Sequence, residues 1–243
     1  MGHSLVFMPE CHSTNNEASQ LIETSSNVPE GTLVITNDQT SGRGQRGSSW
    51  LSETGKNLTF SLVLKPTFLT ARDQFYLNKT ISLGLWDYLS RALTAGIKIK
   101  WPNDILVSNK KICGILIENH IQGQHIQHSI VGIGLNVNQS NFSLPTATSM
   151  KLQGDAEFLL EDVLTELLGC LETRYLQLRS GKFDGLSNDY ADTMYWIGEM
   201  HLFKKKEDIF EGVITGIDLF GRLKVNVDGT TEYFEVKEVQ FLK

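Results

Sequence analysis

The sequence predicts an α+β protein, in which a mixed or antiparallel sheet packs with helices and a small all-β unit follows. Three observations carry this. Leu77, Ile81, Leu85 and Leu89 recur every four residues, and Leu160, Val163, Leu164, Leu167, Leu168, Leu171 and Tyr175 repeat the helical spacing. Short apolar or alternating runs bounded by turn residues surround these helices. Past Trp196 the chain turns to short strands, with Phe220-Gly221-Arg222 and the hairpin dipeptide Asp228-Gly229 as corners. The 243 residues suit one large domain with an appendage, divided at 1–195 and 196–243. The tail resembles a small SH3-like barrel, too small to be very stable alone, and is expected to dock on the larger unit.

In chain order, Leu5 to Met8 reads as a strand. Ser13-Thr14-Asn15-Asn16-Glu17 reads as an N-cap and capping box opening a helix to about Glu23, because Thr14 and Glu17 can each satisfy an orphan amide. Thr32 to Asn37 and Leu58 to Leu64 are strands, and the polar, glycine-rich stretch Asp38 to Lys56 between them has no period. A loop of that length inside a compact domain is usually functional or disordered. A helix is expected over Thr70 to Ala95, with Gly96 as its C-cap. Then come Ile97 to Trp101, Ile105 to Val107, Ile112 to Ile117 and His128 to Val137 as sheet hairpins, and a helix from Glu157 to Arg179.

Composition excludes several classes. Apolar residues at 40% and charged residues at 21% fit a globular chain. The net charge of −6 gives no overall attraction to DNA or anionic lipid. No apolar stretch is long enough to span a membrane, and no secretory leader is visible at the start. Cys11, Cys113 and Cys170 are odd in number and widely spaced, which fits a reducing cytoplasm.

Three segments carry chemistry. Gly42-Arg43-Gly44-Gln45-Arg46-Gly47 matches the dinucleotide pattern G-x-G-x-x-G, but no helix follows whose amides would face a pyrophosphate, so the match is accidental. It does set two guanidiniums on a backbone that permits close approach, suited to carboxylates or phosphates; the alternative is a solvated loop. Lys100-Trp101-Pro102-Asn103-Asp104 ends a strand in a turn that exposes an amide and a carboxylate, ahead of Lys110 to Glu118; the plainer reading is surface turn chemistry. Gly132 and Gly134, in Gly132 to Asn138, mark a bulge or a close approach within a strand.

Taken in series behind Ser13-Thr14-Asn15, these segments resemble the catalytic region of biotin protein ligases. The likeness rests on S-T-N, G-R-G-x-x-G, K-W-P-N-D, K-x-x-G-I-L-x-E and G-x-G-x-N, with the tail Ile209 to Lys243 similar to the family's small C-terminal barrel. It implies a fold like that of class II aminoacyl-tRNA synthetases and a two-step reaction. Biotin and ATP with Mg²⁺ give biotinyl-5′-AMP, which then acylates a lysine of a biotin carboxyl carrier domain of acetyl-CoA carboxylase or a related enzyme. By the same likeness Arg43 takes the biotin carboxylate and then the acyl phosphate, Lys111 neutralises the α-phosphate, and Asn103 and Asp104 lie near the acceptor lysine. Ser13, Thr14, Asn15 and Gln39 serve the ureido end. Gly114, Leu116 and Gly132 line the rest of the slot. Gly42, Gly44 and Gln45 complete the biotin loop. Trp50 covers the adenine, with Asn136 nearby, and Gln45 and Arg46 join the adenylate site.

The likeness also implies that residues 38–56 order over the ligand and keep water from the adenylate. Many relatives carry arginine at Gln45 and a basic residue at Ser48, so a weaker hold on the adenylate is expected here. Because S-T-N arrives by residue 13, a short form without a DNA-binding module is expected, as a monomer or homodimer and without a metal site of its own. His120, His125 and His128 fit no ligand spacing, and Cys113 has no histidine to activate it. Two other readings stay open: a lipoate or octanoate transferase of the same architecture, and a biotin-binding module without catalysis.

Overall fold

The computed structural model describes residues 1–25 and 27–242, with Arg46 described by its backbone alone. Two sheets form. The larger has seven strands: β1 (Leu5–Cys11), β2 (Thr32–Gln39), β3 (Leu58–Leu64), β4 (Ile97–Lys100), β5 (Asp104–Val107), β6 (Lys110–Gln122) and β7 (His125–Leu135). Their spatial order is β1-β2-β3-β7-β6-β5-β4. Only β1 and β2 run parallel, so the sheet is mixed, as the sequence predicts.

The strand β3, Leu-Thr-Phe-Ser-Leu-Val-Leu, is buried at every position because both faces of the sheet are covered. On one face Phe60, Leu62 and Leu64 meet α2 (Phe75–Ala92) and α4 (Leu160–Arg179), where Leu77, Ile81, Leu85, Leu89, Val163, Leu167, Leu171 and Tyr175 of the sequence periodicity are buried and Leu160, Leu164 and Leu168 are partly so. On the other, Val63, Val34 and Ile130 pack against Ala18 of α1 (Thr14–Thr24). This helix covers only part of that face, and the uncovered part is where the functional residues gather.

Several local expectations change. The helix α1 starts with Ser13 as N-cap, but neither Ser13 nor Thr14 caps it: the Thr14 hydroxyl instead meets Gln39 Oε1 at 3.3 Å and Ser61 Oγ at 2.8 Å. Burial beside polar partners outweighs the capping box. Gly96 is no cap either, because α2 stops at Ala92 where Leu93 turns extended. The helix α4 begins at Leu160 rather than Glu157, and two short helices escaped the periodicity reading, α3 (Met150–Gly154) and α5 (Phe183–Thr193). In α5, Leu186 and Tyr190 are the fully buried anchors, too few to stand out as a stripe.

The tail forms a five-stranded antiparallel sheet of β8 (Met200–Lys205), β9 (Asp208–Ile217), β10 (Leu223–Val227), β11 (Thr230–Phe234) and β12 (Gln240–Phe241), ordered β11-β10-β9-β8-β12. It fits an SH3-like module, although the pairings among the described residues do not close into a barrel. Asp228 and Gly229 both take positive φ, +50° and +83°, as a two-residue hairpin requires. The unit docks on the larger one: buried Trp101 donates from Nε1 to Gly221 O at 2.8 Å, and Arg72 lies over the Phe220 ring. No described helix is long and apolar enough to cross a membrane.

The helices α2 and α4 approach closely at Gly84, where an added Cβ would stand 2.9 Å from the Leu171 Cα. Gly84→Ala therefore forces α2 and α4 apart and costs about 1–3 kcal/mol, read as a lower urea midpoint.

Candidate active site

The uncovered part of the sheet is shaped by register. Thr59 and Ser61 of β3 oppose Gly134 and Gly132 of β7, which in turn oppose Gly114 and Leu116 of β6. These residues alternate onto one face with Glu118, two positions beyond Leu116. The three glycines make a hollow there. A Cβ on Gly132 would stand 2.3 Å from Asn15 Oδ1, and one on Gly134 would stand 2.3 Å from Trp50 Cε2. One on Gly114 would stand 3.0 Å from Trp50 Cζ3. The two strand glycines thus mark a close approach, and the neighbours that approach are Asn15 and the indole of Trp50.

Lys111 reaches this face through a bulge. Between β5 and β6 the register shifts, and the consecutive residues Ile112 and Cys113 are both fully buried in the core. Without the extra residue, alternation from Gly114 would turn Lys111 into the core; the bulge re-aims it. Its ammonium pairs with Asp104 Oδ1 at 2.7 Å and lies 5.5 Å from the Trp50 ring centroid.

The polar end is a hydrogen-bonded chain. The Thr14 amide donates to Gln39 Oε1 at 2.9 Å, and Ser61 Oγ lies 2.8 Å from Thr14 Oγ1 and 2.6 Å from Asn15 Oδ1. Asn15 Nδ2 then donates to Glu118 Oε2 at 2.7 Å. Arg43 meets the same oxygen at 2.9 Å. The loop that carries Arg43 is stitched to itself: Gly44 N donates to Ser48 O, and Trp50 N to Gly42 O at 2.9 Å. Gly42 is required by this doubling back, since its Cβ would stand 2.3 Å from Trp50 O. Past Trp50, Gln139 Oε1 accepts from Glu53 N and from Asn57 Nδ2, which pins the far end of the loop to the segment after β7.

Together these elements enclose one cavity of about 640 Å³. Of the expected site residues, Ser13, Thr14, Asn15, Gln39, Arg43, Gly44, Gln45, Trp50, Asn103, Asp104, Lys111, Gly114, Leu116 and Gly132 line it. Gly42 is buried behind it, and the Arg46 side chain lies outside the described residues. Asn136 is buried too, donating from Nδ2 to Thr148 O at 2.9 Å, with its Oδ1 lacking a partner among the described residues. Asn103 is half committed, its Nδ2 donating to Ile115 O at 2.7 Å. Gln45 Oε1 and Trp50 Nε1 are buried without a partner among the described residues, an acceptor and a donor respectively that an occupant can satisfy.

Sequence reasoning did not single out Ser61 or the tail residues Val236, Val239, Gln240 and Phe241, and it gave Glu118, the last residue of the K-x-x-G-I-L-x-E motif, no role; these residues complete the cavity or hold its side chains. Ser61 left a signal, a lone hydroxyl between Phe60 and Leu62. The tail left none, because it arrives through docking. Elsewhere, His120 and His128 stack across the β6–β7 hairpin with centroids 4.7 Å apart, and burial together with His120 lowers the His128 pKa. Among the described residues no three His, Cys, Asp or Glu side chains converge as a metal site. Complete burial pushes the Cys113 thiol far above its usual range, so it packs rather than reacts.

A sequence profile of the biotin/lipoate A/B protein ligase family matches residues 8–136. The chain is similar to a bifunctional ligase/repressor BirA of Bacillus spizizenii, 32% identical over 229 residues that span 90% of this chain and 68% of that one. It is likewise similar to a biotin–[acetyl-CoA-carboxylase] ligase of Paracoccus denitrificans, 30% identical over 237 residues, 94% of this chain and 97% of that one. Among solved structures, biotin protein ligase from Aquifex aeolicus in complex with biotin and ATP shares the fold with a TM-score of 0.82 over 99% of both chains, at 23% identity. With more than half of its length inside the profile, and every cavity residue of the larger sheet within the matched span, the chain belongs to the biotin/lipoate A/B protein ligase family.

Proposed function

We propose that the chain is a biotin protein ligase, which activates biotin with MgATP to biotinyl-5′-AMP and passes the biotinyl group to a lysine of a biotin carboxyl carrier domain. One observation carries the reading: a single cavity holds a hydrogen-bonding cluster of Thr14, Asn15 and Gln39, and beyond it cations, Arg43 next to that cluster and Lys111 next to the Trp50 indole. A neutral cyclic urea suits the first, and a carboxylate meeting a nucleotide suits the second.

Step one brings two anions together, and the protein must supply the opposing charge in advance. Arg43 takes the biotin carboxylate. Its oxygen attacks the α-phosphorus, pyrophosphate leaves, and Lys111 offsets the charge that builds on the α-phosphate oxygens. Trp50 flanks the adenine and Gln45 the acyl phosphate; Arg46 belongs to the same adenylate site by resemblance. In step two the acceptor amine attacks the acyl carbon and AMP leaves. Asp104, freed from Lys111 when that ammonium turns to phosphate, orients the amine beside Asn103. The loop over the cavity keeps water away between the steps.

Mg²⁺ enters this proposal with the triphosphate. Asp104 and Glu118 are the carboxylates beside the cavity cations, and each is paired with one, so the residues present build no cage of their own. That suits an ion that keeps several waters and binds mainly through phosphate. The division into 1–195 and 196–243, a carrier domain of acetyl-CoA carboxylase or a related enzyme as acceptor, and a cytoplasmic location belong to the same proposal.

Incubation with labelled biotin, MgATP and an unmodified carrier domain, with lipoate as the competing acid, is expected to label the carrier with biotin and release AMP and pyrophosphate. Preference for lipoate, or adenylate without transfer, refutes the assignment. Lys111→Met is expected to slow adenylation by about a hundredfold or more while biotin affinity changes little, as for loss of a preorganised charge; equal losses in both would refute its role. Gln45→Arg is expected to slow adenylate escape into solvent, and equal escape rates would show that Gln45 does not govern retention.

A further inference from the structure

The geometry points to Glu118 as a positioning residue that acts through Arg43: it is an internal carboxylate standing on the guanidinium until the carboxylate of the substrate exchanges for it. The inference rests on the assignment of a carboxylic-acid substrate to this cavity, and names a residue that assignment leaves without a role.

Glu118 lies on the site face of β6, at the even position after Gly114 and Leu116. Its Oε2 receives two donors from different parts of the chain, Arg43 Nη2 at 2.9 Å and Asn15 Nδ2 at 2.7 Å. The two attachments differ in firmness. Asn15 is 3% exposed and is fixed in turn by Ser61, whereas the Arg43 side chain is 44% exposed on a loop flanked by Gly42 and Gly44. When an anion enters, the mobile member is therefore Arg43, and Glu118 stays on its asparagine with one donor still in place. An exchange of this kind avoids stranding either charge.

Two consequences follow from the pairing. In the empty protein Glu118 tethers the loop to the sheet across 75 residues of sequence. On binding, the same contact must be given up, so Glu118 works against the ligand. A partly exposed ion pair contributes about 0.4–1 kcal/mol, which corresponds to about a two- to fivefold change in affinity.

Glu118→Gln tests this while keeping an acceptor for Asn15. Calorimetric titration of the full chain with biotin, in the absence of ATP, is expected to show two- to fivefold tighter binding in the variant. Trypsin, by contrast, is expected to cut the ligand-free variant faster than wild type at Arg43. A residue that merely supports the fold would weaken binding as it loosens the loop, so the opposite signs are the signature. Unchanged or weaker binding, or cleavage no faster than in wild type, overturns the proposal. Lipoate serves as a second titrant: if wild type binds lipoate but not biotin, the substrate assignment fails while the exchange is still read on the acid that binds.

Discussion

A cavity meant to bring two anions together must contain cations before either anion arrives, and a cation held in a partly enclosed space without a counter-charge is costly. The protein meets this constraint by pairing. Arg43 is held by Glu118 and Lys111 by Asp104, one carboxylate from β6 and one from the start of β5. Because each pair is only partly buried, neither is so strong that a phosphate or carboxylate cannot take its place. Arg43 and Lys111 thus each have a counter-charge at hand, and the cost of switching partners stays small.

The rest of the architecture serves to bring these four groups onto one face. Three glycines on adjacent strands remove the side chains that would otherwise fill it, and a bulge turns Lys111 out of the core. The helix α1 stops short of covering the hollow, and its first residues, Ser13 to Asn15, give up capping to serve as polar lining. The local sacrifice is the kind expected where function competes with secondary structure.

Much of the fold was legible in the residues. The leucine periodicity located α2 and α4, alternation and turn dipeptides located most strands, and the glycines of β7 announced a close approach. Helix ends were less legible, because α2 ends where Leu93, buried in the core, turns extended, and not at Gly96. Of the site, the motif residues came together in one cavity, with Gly42 and Asn136 set behind its wall. What sequence could not show was long-range register. Nothing local connects Ser61 to Thr14 and Asn15 or brings Glu118 under Arg43, and residues 236–241 enter the wall through the docking of two sheets, to which Trp101 and Gly221 contribute a hydrogen bond.

That docking has a consequence for how the protein comes into being. The walls of the cavity are drawn from as far apart as Ser13 and Phe241, so no early portion of a growing polypeptide holds a finished pocket. Contacts between such distant segments form late and slowly. A nascent chain therefore lacks the part of the wall drawn from residues 236–241 until the smaller sheet seats itself against the larger.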